Sequence, residues 1–380
     1  MYCSFCGKQL TGTEQFCPYC GNKAKEVTPL TTGESILPSQ PPVFQQQPTQ
    51  AFTPAPALAA APAPMVTLDN SPETLKSLKR AGWTFSLASV TGQLGATIIV
   101  LLCSFFIRLF FNLSEETEDM IFNYLAFSTQ IVFIIFIIVY LAVTKTTPVQ
   151  VGFRKPAPKT LWVGILLGLG IIFVSNIPET IFDAFLELLG YNMESGDVTA
   201  GISFEGGLFW LAMFTLAVLP AIGEEFIFRG IILENTKKLG TVQACLLNGL
   251  LFSLFHANPA QTGYTFIMGA VWALIAIRCN SVLPTMISHF LNNAYGVIML
   301  YLMSVYGEEA VYGGLESASG FIMIAAITFV IVGLVYFTEK NKNGNQPKTA
   351  SSKVFWIAAL LGIIFNAVIW IFQFADGLMA

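Results

Sequence analysis

The chain has little charge and almost no histidine. Of its 380 residues, 11% are charged and only two are histidines, His256 and His289. Soluble proteins average about 25% charged residues. With 54% hydrophobic residues and a mean hydropathy of +0.65, the chain carries more apolar surface than a soluble fold of this length can bury. The composition therefore excludes an ordinary cytosolic enzyme and predicts an all-α polytopic membrane protein.

No long apolar run precedes residue 80, so we expect that the first cysteines do not follow a signal peptide. Residues 1–26 hold two Cys-x-x-Cys pairs, a spacing typical of a tetrahedral Zn²⁺ site. Paired disulfides are the alternative, and they require an oxidising compartment. The segment resembles the zinc ribbons at the N-termini of many bacterial membrane proteins. We expect a structural zinc ion on Cys3, Cys6, Cys17 and Cys20.

The ribbon is expected to bind a protein partner. Nucleic acid is not expected, because the lysines of the ribbon are offset by glutamates and leave no basic patch. Residues 27–75 contain ten of the 19 prolines, among Gln, Ala, Thr and Ser, and this composition predicts a disordered linker. The sequence thus predicts a ribbon, a linker and a transmembrane domain over residues 76–380.

Apolar runs of near-spanning length fill the transmembrane domain. A spanning helix needs about 20 apolar residues, and most of the runs reach that length, which predicts eight or nine transmembrane helices. The runs lie near residues 82–111, 121–144, 161–178, 206–236, 242–257, 263–279, 282–305, 320–337 and 354–374. After the third run, Glu179, Asp183 and Glu187 recur every four residues, which predicts the water-facing side of an interfacial helix.

Basic residues recur on alternate loops of the transmembrane domain. Lys76, Lys79 and Arg80 precede the first run, and acidic residues dominate the next loop. Because cytoplasmic loops are enriched in Lys and Arg, this pattern predicts a cytoplasmic N-terminus. We expect a multi-pass protein of a bacterial cell membrane, in contact with the lipid bilayer along its helices.

Glu224, Glu225 and Arg229 lie well inside the fourth apolar run, where charge is costly and indicates function. Glu225 and Arg229 are four residues apart, so they can form an ion pair on one helix face. Glu224 points about 100° away and has no local arginine. Pro220 precedes it and is expected to open the helix near the site. A purely structural ion pair explains Glu225 and Arg229 but leaves Glu224 without a role.

Both histidines lie in later apolar runs. Phe252 and His256 share one helix face, and so do His289 and Asn293, with Asn292 adjacent. A lone buried histidine is usually a core residue, and a lone asparagine usually joins two helices. Here no other histidine is present in the chain, and both lie close in sequence to the buried acids, which favours a shared functional site.

These three segments together resemble the motif set of the CAAX prenyl protease and bacteriocin-processing (CPBP, or Abi) family of intramembrane proteases. The resemblance covers about residues 150–305. It implies hydrolysis of a peptide bond in a membrane-associated or lipid-modified peptide or protein. In that family's terms Glu224 is the general base and His256 orients the water. His289 and Asn293 stabilise the oxyanion, while the Glu225–Arg229 pair supports the site.

Two questions stay open at this point. Glu224, His256 and His289 could together ligate a catalytic Zn²⁺, although water activation by Glu224 without a metal is the favoured interpretation. The same residues could also serve a non-proteolytic immunity or scaffold protein, or a proton-coupled transporter. Transport is disfavoured because the hydrophobic segments show no internal repeat.

Overall fold

The computed structural model describes residues 69–196, 199, 202–204, 207–340 and 352–380. These residues belong to the second of two units of the chain, Ala63–Ala380. The predicted zinc ribbon, with Cys3, Cys6, Cys17 and Cys20, lies outside the described residues, as does most of the predicted linker.

Within these ranges the regular structure is entirely helical, as predicted, and contains no strand. We number the helices α1 (Pro72–Phe110), α2 (Glu115–Ala126), α3 (Thr129–Thr144), α4 (Pro158–Val174), α5 (Asn176–Leu188), α6 (Phe209–Leu239), α7 (Thr241–His256), α8 (Thr262–Cys279), α9 (Leu283–Tyr306), α10 (Glu308–Lys340) and α11 (Lys353–Met379). Short 3₁₀ turns at Pro148–Val151, Met193–Gly196 and Pro259–Gln261 connect some of them.

Each of the nine predicted apolar runs lies in a helix or in two consecutive helices. Seven of the resulting units within the described ranges are long and apolar enough to cross a membrane. They comprise α1, α2 with α3, α4 with α5, α6, α8, α10 and α11. Helix α7 has 16 residues and is too short by that standard. Helix α9 has 24 residues but is not among the seven, and it carries the polar residues His289, Asn292 and Asn293. The two helices outside the seven are thus the ones that hold the predicted histidines.

Helix α5 carries the three acids for which a water-facing side is predicted. Glu179 and Asp183 are half-buried, whereas Ile181 and Leu188 on other faces are 69% and 83% exposed. Only Glu187 of the three acids is exposed. Two of the three acids are thus less exposed than these apolar residues, and the water-facing side stays a prediction.

Glycines let α7 and α8 pack with their backbones in contact. A Cβ atom added at Gly249 would lie 2.5 Å from the Phe266 carbonyl oxygen, and one added at Gly269 would lie 2.8 Å from the Gly249 Cα. Small residues allow this close approach between membrane helices. The contact brings the Phe252 and Trp272 ring centroids to 6.2 Å, on the side that faces the candidate site.

Helices α1 and α11 form a second close pair, fixed by polar groups. The Ser86 hydroxyl donates to the Ala358 carbonyl at 2.8 Å and accepts from the Gly362 N–H at 3.1 Å. The Asn366 amide donates to the Ser89 hydroxyl at 2.8 Å. In a bilayer the hydrophobic effect does not drive helices together, because lipid tails are as apolar as the side chains. Hydrogen bonds of this kind therefore stabilise the helix pair.

Helix α6 is continuous through Pro220 but is wound unevenly. The α-helical turn Leu219–Glu225 lies between two π-helical segments, Met213–Val218 and Phe226–Ile232. The expected opening at Pro220 is therefore a change of winding and not a break. A proline cannot supply its N–H to the preceding turn, and the wider π turn before it accommodates that loss.

The packing of α7 on α8 gives a direct stability test. Gly249→Ala should lower the free energy of unfolding by about 1–3 kcal/mol, because the added methyl meets backbone that must shift. Gly320→Ala on α10 is the matched control: a Cβ there meets nothing within 4 Å, so the change should be neutral or stabilising by up to about 1 kcal/mol. Thermal unfolding of the purified protein in detergent measures both. Equal effects of the two variants would contradict the backbone contact.

Candidate active site

The predicted ion pair between Glu225 and Arg229 is present and fully buried. The Arg229 Nη1 atom lies 2.7 Å from the Glu225 Oε1 atom, and both side chains are 0% exposed. Arg229 Nη2 donates to the Gly269 carbonyl at 3.3 Å. The guanidinium carbon lies 4.2 Å from the Phe252 ring centroid and 5.2 Å from that of Trp272. The charge is thus surrounded by a carboxylate, a carbonyl and aromatic faces, which together offset its desolvation.

Glu225 also binds His289. The His289 Nδ1 atom lies 3.0 Å from the same Glu225 Oε1 atom, and the ring stacks on Trp272 with centroids 4.7 Å apart. Because a carboxylate accepts and does not donate, Nδ1 carries the proton. The second nitrogen, Nε2, then lies 3.9 Å from the Glu224 Oε2 atom. The ion pair therefore orients a histidine as well as supporting the helix, a role that sequence spacing could not indicate.

Glu224 has a different environment from its neighbour. It is 6% exposed, and its Oε1 atom accepts from the Gln130 amide at 2.8 Å. Its Oε2 atom has no hydrogen-bond partner among the described residues. One carboxylate oxygen is thus fixed by an amide from α3, and the other is available.

Gln130 is the site residue that sequence reasoning missed. It is 8% exposed and stands near the start of α3, inside the second apolar run. An amide in an apolar run is expected to bind another helix, and this was the available signal. Its partner is 94 positions away, so no spacing rule could have paired it with Glu224.

His256 is held in a defined tautomer by its own helix. Its Nδ1 atom lies 2.8 Å from the Phe252 carbonyl oxygen, one turn earlier. A carbonyl oxygen only accepts, so Nδ1 carries the proton and Nε2 keeps its lone pair. The ring is half-buried and lines the same cavity as Glu224 and His289.

Asn293 reaches α6 across the cavity. Its Nδ2 atom donates to the Leu216 carbonyl at 2.9 Å, and its Oδ1 atom accepts from the Asn292 amide at 3.0 Å. Leu216 lies four residues before Pro220, the position whose N–H would complete an α-helical bond to this carbonyl. The proline thus leaves the acceptor that Asn293 uses.

One cavity of about 300 Å³ is lined by Gln130, Glu224, His256, His289 and Asn293, whereas Glu225 and Arg229 do not line it. Its lining includes Trp272 of α8 and His289 and Asn293 of α9, and also Phe127, Gln261 and Leu300. The last three residues lie at or near the ends of α3, α8 and α9 that are opposite Lys145, Arg278 and Leu283. The cavity therefore extends toward the helix ends that lie away from the basic loops.

No group of three or more His, Cys, Asp and Glu side chains is placed to hold a metal ion in the part of the chain that the structure describes. Glu224, His256 and His289 all line the cavity.

Residues 206–295 match the family model described as type II CAAX prenyl endopeptidase Rce1-like. The matched segment is similar to a family of proteases. It contains all six residues predicted for the site, Glu224, Glu225, Arg229, His256, His289 and Asn293, but not Gln130. No curated protein and no solved structure matches the chain. Together with the seven candidate spans, the match supports an integral, multi-pass membrane protein of protease type.

Proposed function

We propose that this protein is an intramembrane endopeptidase that hydrolyses a peptide bond in a membrane-associated or lipid-modified peptide or protein. The observation that carries the proposal is the Glu224 Oε2 atom. It is a buried carboxylate oxygen without a hydrogen bond to any described residue, in a cavity shared with two histidines. A buried carboxylate oxygen without a hydrogen bond is costly. The Glu225 Oε2 atom also lacks a partner among the described residues, but Glu225 does not line the cavity, whereas Glu224 does.

In the proposed reaction Glu224 acts as the general base. Its Oε2 atom takes a proton from water as the water oxygen bonds to the substrate carbonyl carbon, and the C–N bond then breaks as that proton passes to the leaving amine. The Gln130 amide fixes the Oε1 atom, so the basic oxygen keeps its direction. The lone pair on His256 Nε2 accepts the second hydrogen of the water and orients it.

The tetrahedral intermediate carries its negative charge on the former carbonyl oxygen. We assign its stabilisation to the His289 ring, held by Glu225 and stacked on Trp272, in the form that carries a proton on Nε2 as well as on Nδ1, and to the Asn293 amide. One N–H of Asn293 is used by the Leu216 carbonyl, which leaves the other for the oxyanion. Donors fixed before the reaction are worth several kcal/mol at such a site.

Glu224→Gln is the central test. We expect cleavage to fall by about 10³-fold, because the amide cannot accept the proton from water, while the fold is kept. Comparative proteomics of membrane peptides should show intact substrates accumulating in Glu224→Gln cells. Cells with Glu308→Gln, an exposed acid at the start of α10, are the matched control and should resemble wild type.

The same comparison separates the protease from a scaffold or immunity protein. A scaffold would bind its partner equally well in wild type and in the Glu224→Gln variant, and the substitution would leave the peptide profile unchanged. An unchanged profile in the folded Glu224→Gln variant would therefore overturn the proposal.

We further propose that zinc is structural and sits in the N-terminal ribbon on Cys3, Cys6, Cys17 and Cys20, where a protein partner would bind. Full-length protein should contain about one zinc ion per chain, and replacing all four cysteines by serine should remove it without abolishing cleavage. Elemental analysis of the purified proteins measures this. Zinc that survives in the cysteine-free ribbon but is lost on His289→Ala would instead indicate a metal at the catalytic site.

The side from which substrate enters follows from the basic loops. If these loops are cytoplasmic, the cavity is reached from the opposite face of the membrane. In a chain whose described cysteines are replaced by serine, a membrane-impermeant maleimide should label Leu300→Cys in intact cells and block cleavage. Lys237→Cys, at the other end of α6, should be labelled only after permeabilisation. The reverse pattern would place the entrance on the cytoplasmic side.

A further inference from the structure

A second, polar pocket of about 260 Å³ lies at the basic ends of the helices, far along α6 from the Glu224 cavity. It is formed where the first turns of α1, the end of α3 and the end of α6 meet the Pro148–Val151 turn. Its principal polar lining residues are Arg80, Tyr140, Lys145, Thr146, Gln150 and Glu234.

The pocket has two uncompensated cations. In the described part of the chain, no ion pair joins Arg80 or Lys145 to a carboxylate. The acid of the lining, Glu234, is already paired with Arg154 at 2.8 Å and with Lys237 at 2.6 Å. The Glu234 charge is thus neutralised from outside the pocket, and the pocket is positive.

Its remaining polar groups are placed to donate. The Tyr140 hydroxyl is buried beside the Arg80 guanidinium, which can only donate to it, so the Tyr140 O–H itself is left to donate. The Gln150 Oε1 atom accepts from the Thr147 N–H at 2.8 Å, so its amide nitrogen is left to donate. A buried O–H that has no acceptor among the described residues favours a ligand that accepts.

The pocket also lies at the ends of two candidate membrane spans, where lipid headgroups are expected. Lys145 directly follows the span Thr117–Thr144 and closes α3 in a left-handed conformation, with φ +52°. Lys237 stands near the end of the span Phe209–Leu239. Basic pockets between membrane helices at this depth are suited to anionic headgroups.

We propose that this pocket binds the phosphate of an anionic phospholipid headgroup. The negative charge of the phosphate would pair with Arg80 and Lys145, which have no carboxylate partner. Its oxygens would also accept hydrogen bonds from the neutral donors Tyr140 and Gln150. The site is independent of the proposed peptidase, because no residue of the Glu224 cavity lines it.

Purified full-length protein is tested by thermal unfolding in phosphatidylcholine nanodiscs, with and without phosphatidylglycerol. Phosphatidylglycerol should raise the unfolding temperature of wild type. Arg80→Gln and Lys145→Gln should each weaken the apparent lipid affinity about five-fold, equivalent to ~1 kcal/mol for each cation removed. Lys155→Gln is the matched control, since it removes an exposed charge on the same loop and should leave the affinity unchanged.

Two further arms keep the test decisive. Tyr140→Phe removes a donor without changing charge, and it should also weaken binding in a protein that folds normally. Inorganic phosphate that stabilises the protein in phosphatidylcholine as strongly as phosphatidylglycerol does would assign the pocket to a soluble anion. Two outcomes would overturn the site. One is that Lys155→Gln loses the stabilisation by phosphatidylglycerol as much as the pocket variants do, and the other is that Arg80→Gln, Lys145→Gln and Tyr140→Phe all keep it.

Discussion

The ion pair between Glu225 and Arg229 is the interaction on which the rest of the site depends. Removing either partner would leave an isolated charge inside the protein, a loss of about 3–5 kcal/mol. The pair also fixes what surrounds it. The Glu225 Oε1 atom holds His289, and the guanidinium gathers Phe252 and Trp272 against it. A charge that must be buried thereby organises four helices, α6 to α9.

Close helix packing makes that arrangement possible. The aromatic rings reach Arg229 because Gly249 and Gly269 let α7 and α8 touch, and the Gly269 carbonyl itself accepts from the arginine. Gly269 thus serves both the helix contact and the stabilisation of the Arg229 charge. The polar pocket around Arg80 and Lys145 differs from the Arg229 site, because no carboxylate of the described residues pairs with its cations.

Contacts within one helix could be predicted from the sequence, and contacts between helices could not. The spacing of Glu225 and Arg229 places them on one face whatever the tertiary structure, so the ion pair was predictable. The membrane-helix class followed from composition. Three contacts depend instead on how the helices pack against each other. They are the hydrogen bond from Gln130 to Glu224, the stacking of Trp272 on His289 and the hydrogen bond from Asn293 to the Leu216 carbonyl. For the same reason the periodicity of α5 shows two faces but does not indicate which one packs against the protein.

The hydrogen bond from His256 to the Phe252 carbonyl has an evolutionary consequence. The acceptor is a main-chain atom one helical turn away, so it persists whatever side chain stands at position 252. The protonation pattern of this imidazole is therefore inherited from helix geometry alone and needs no carboxylate partner. The side chain at position 252 can therefore serve its contact with Arg229 alone, while the main chain of the same residue fixes the His256 ring.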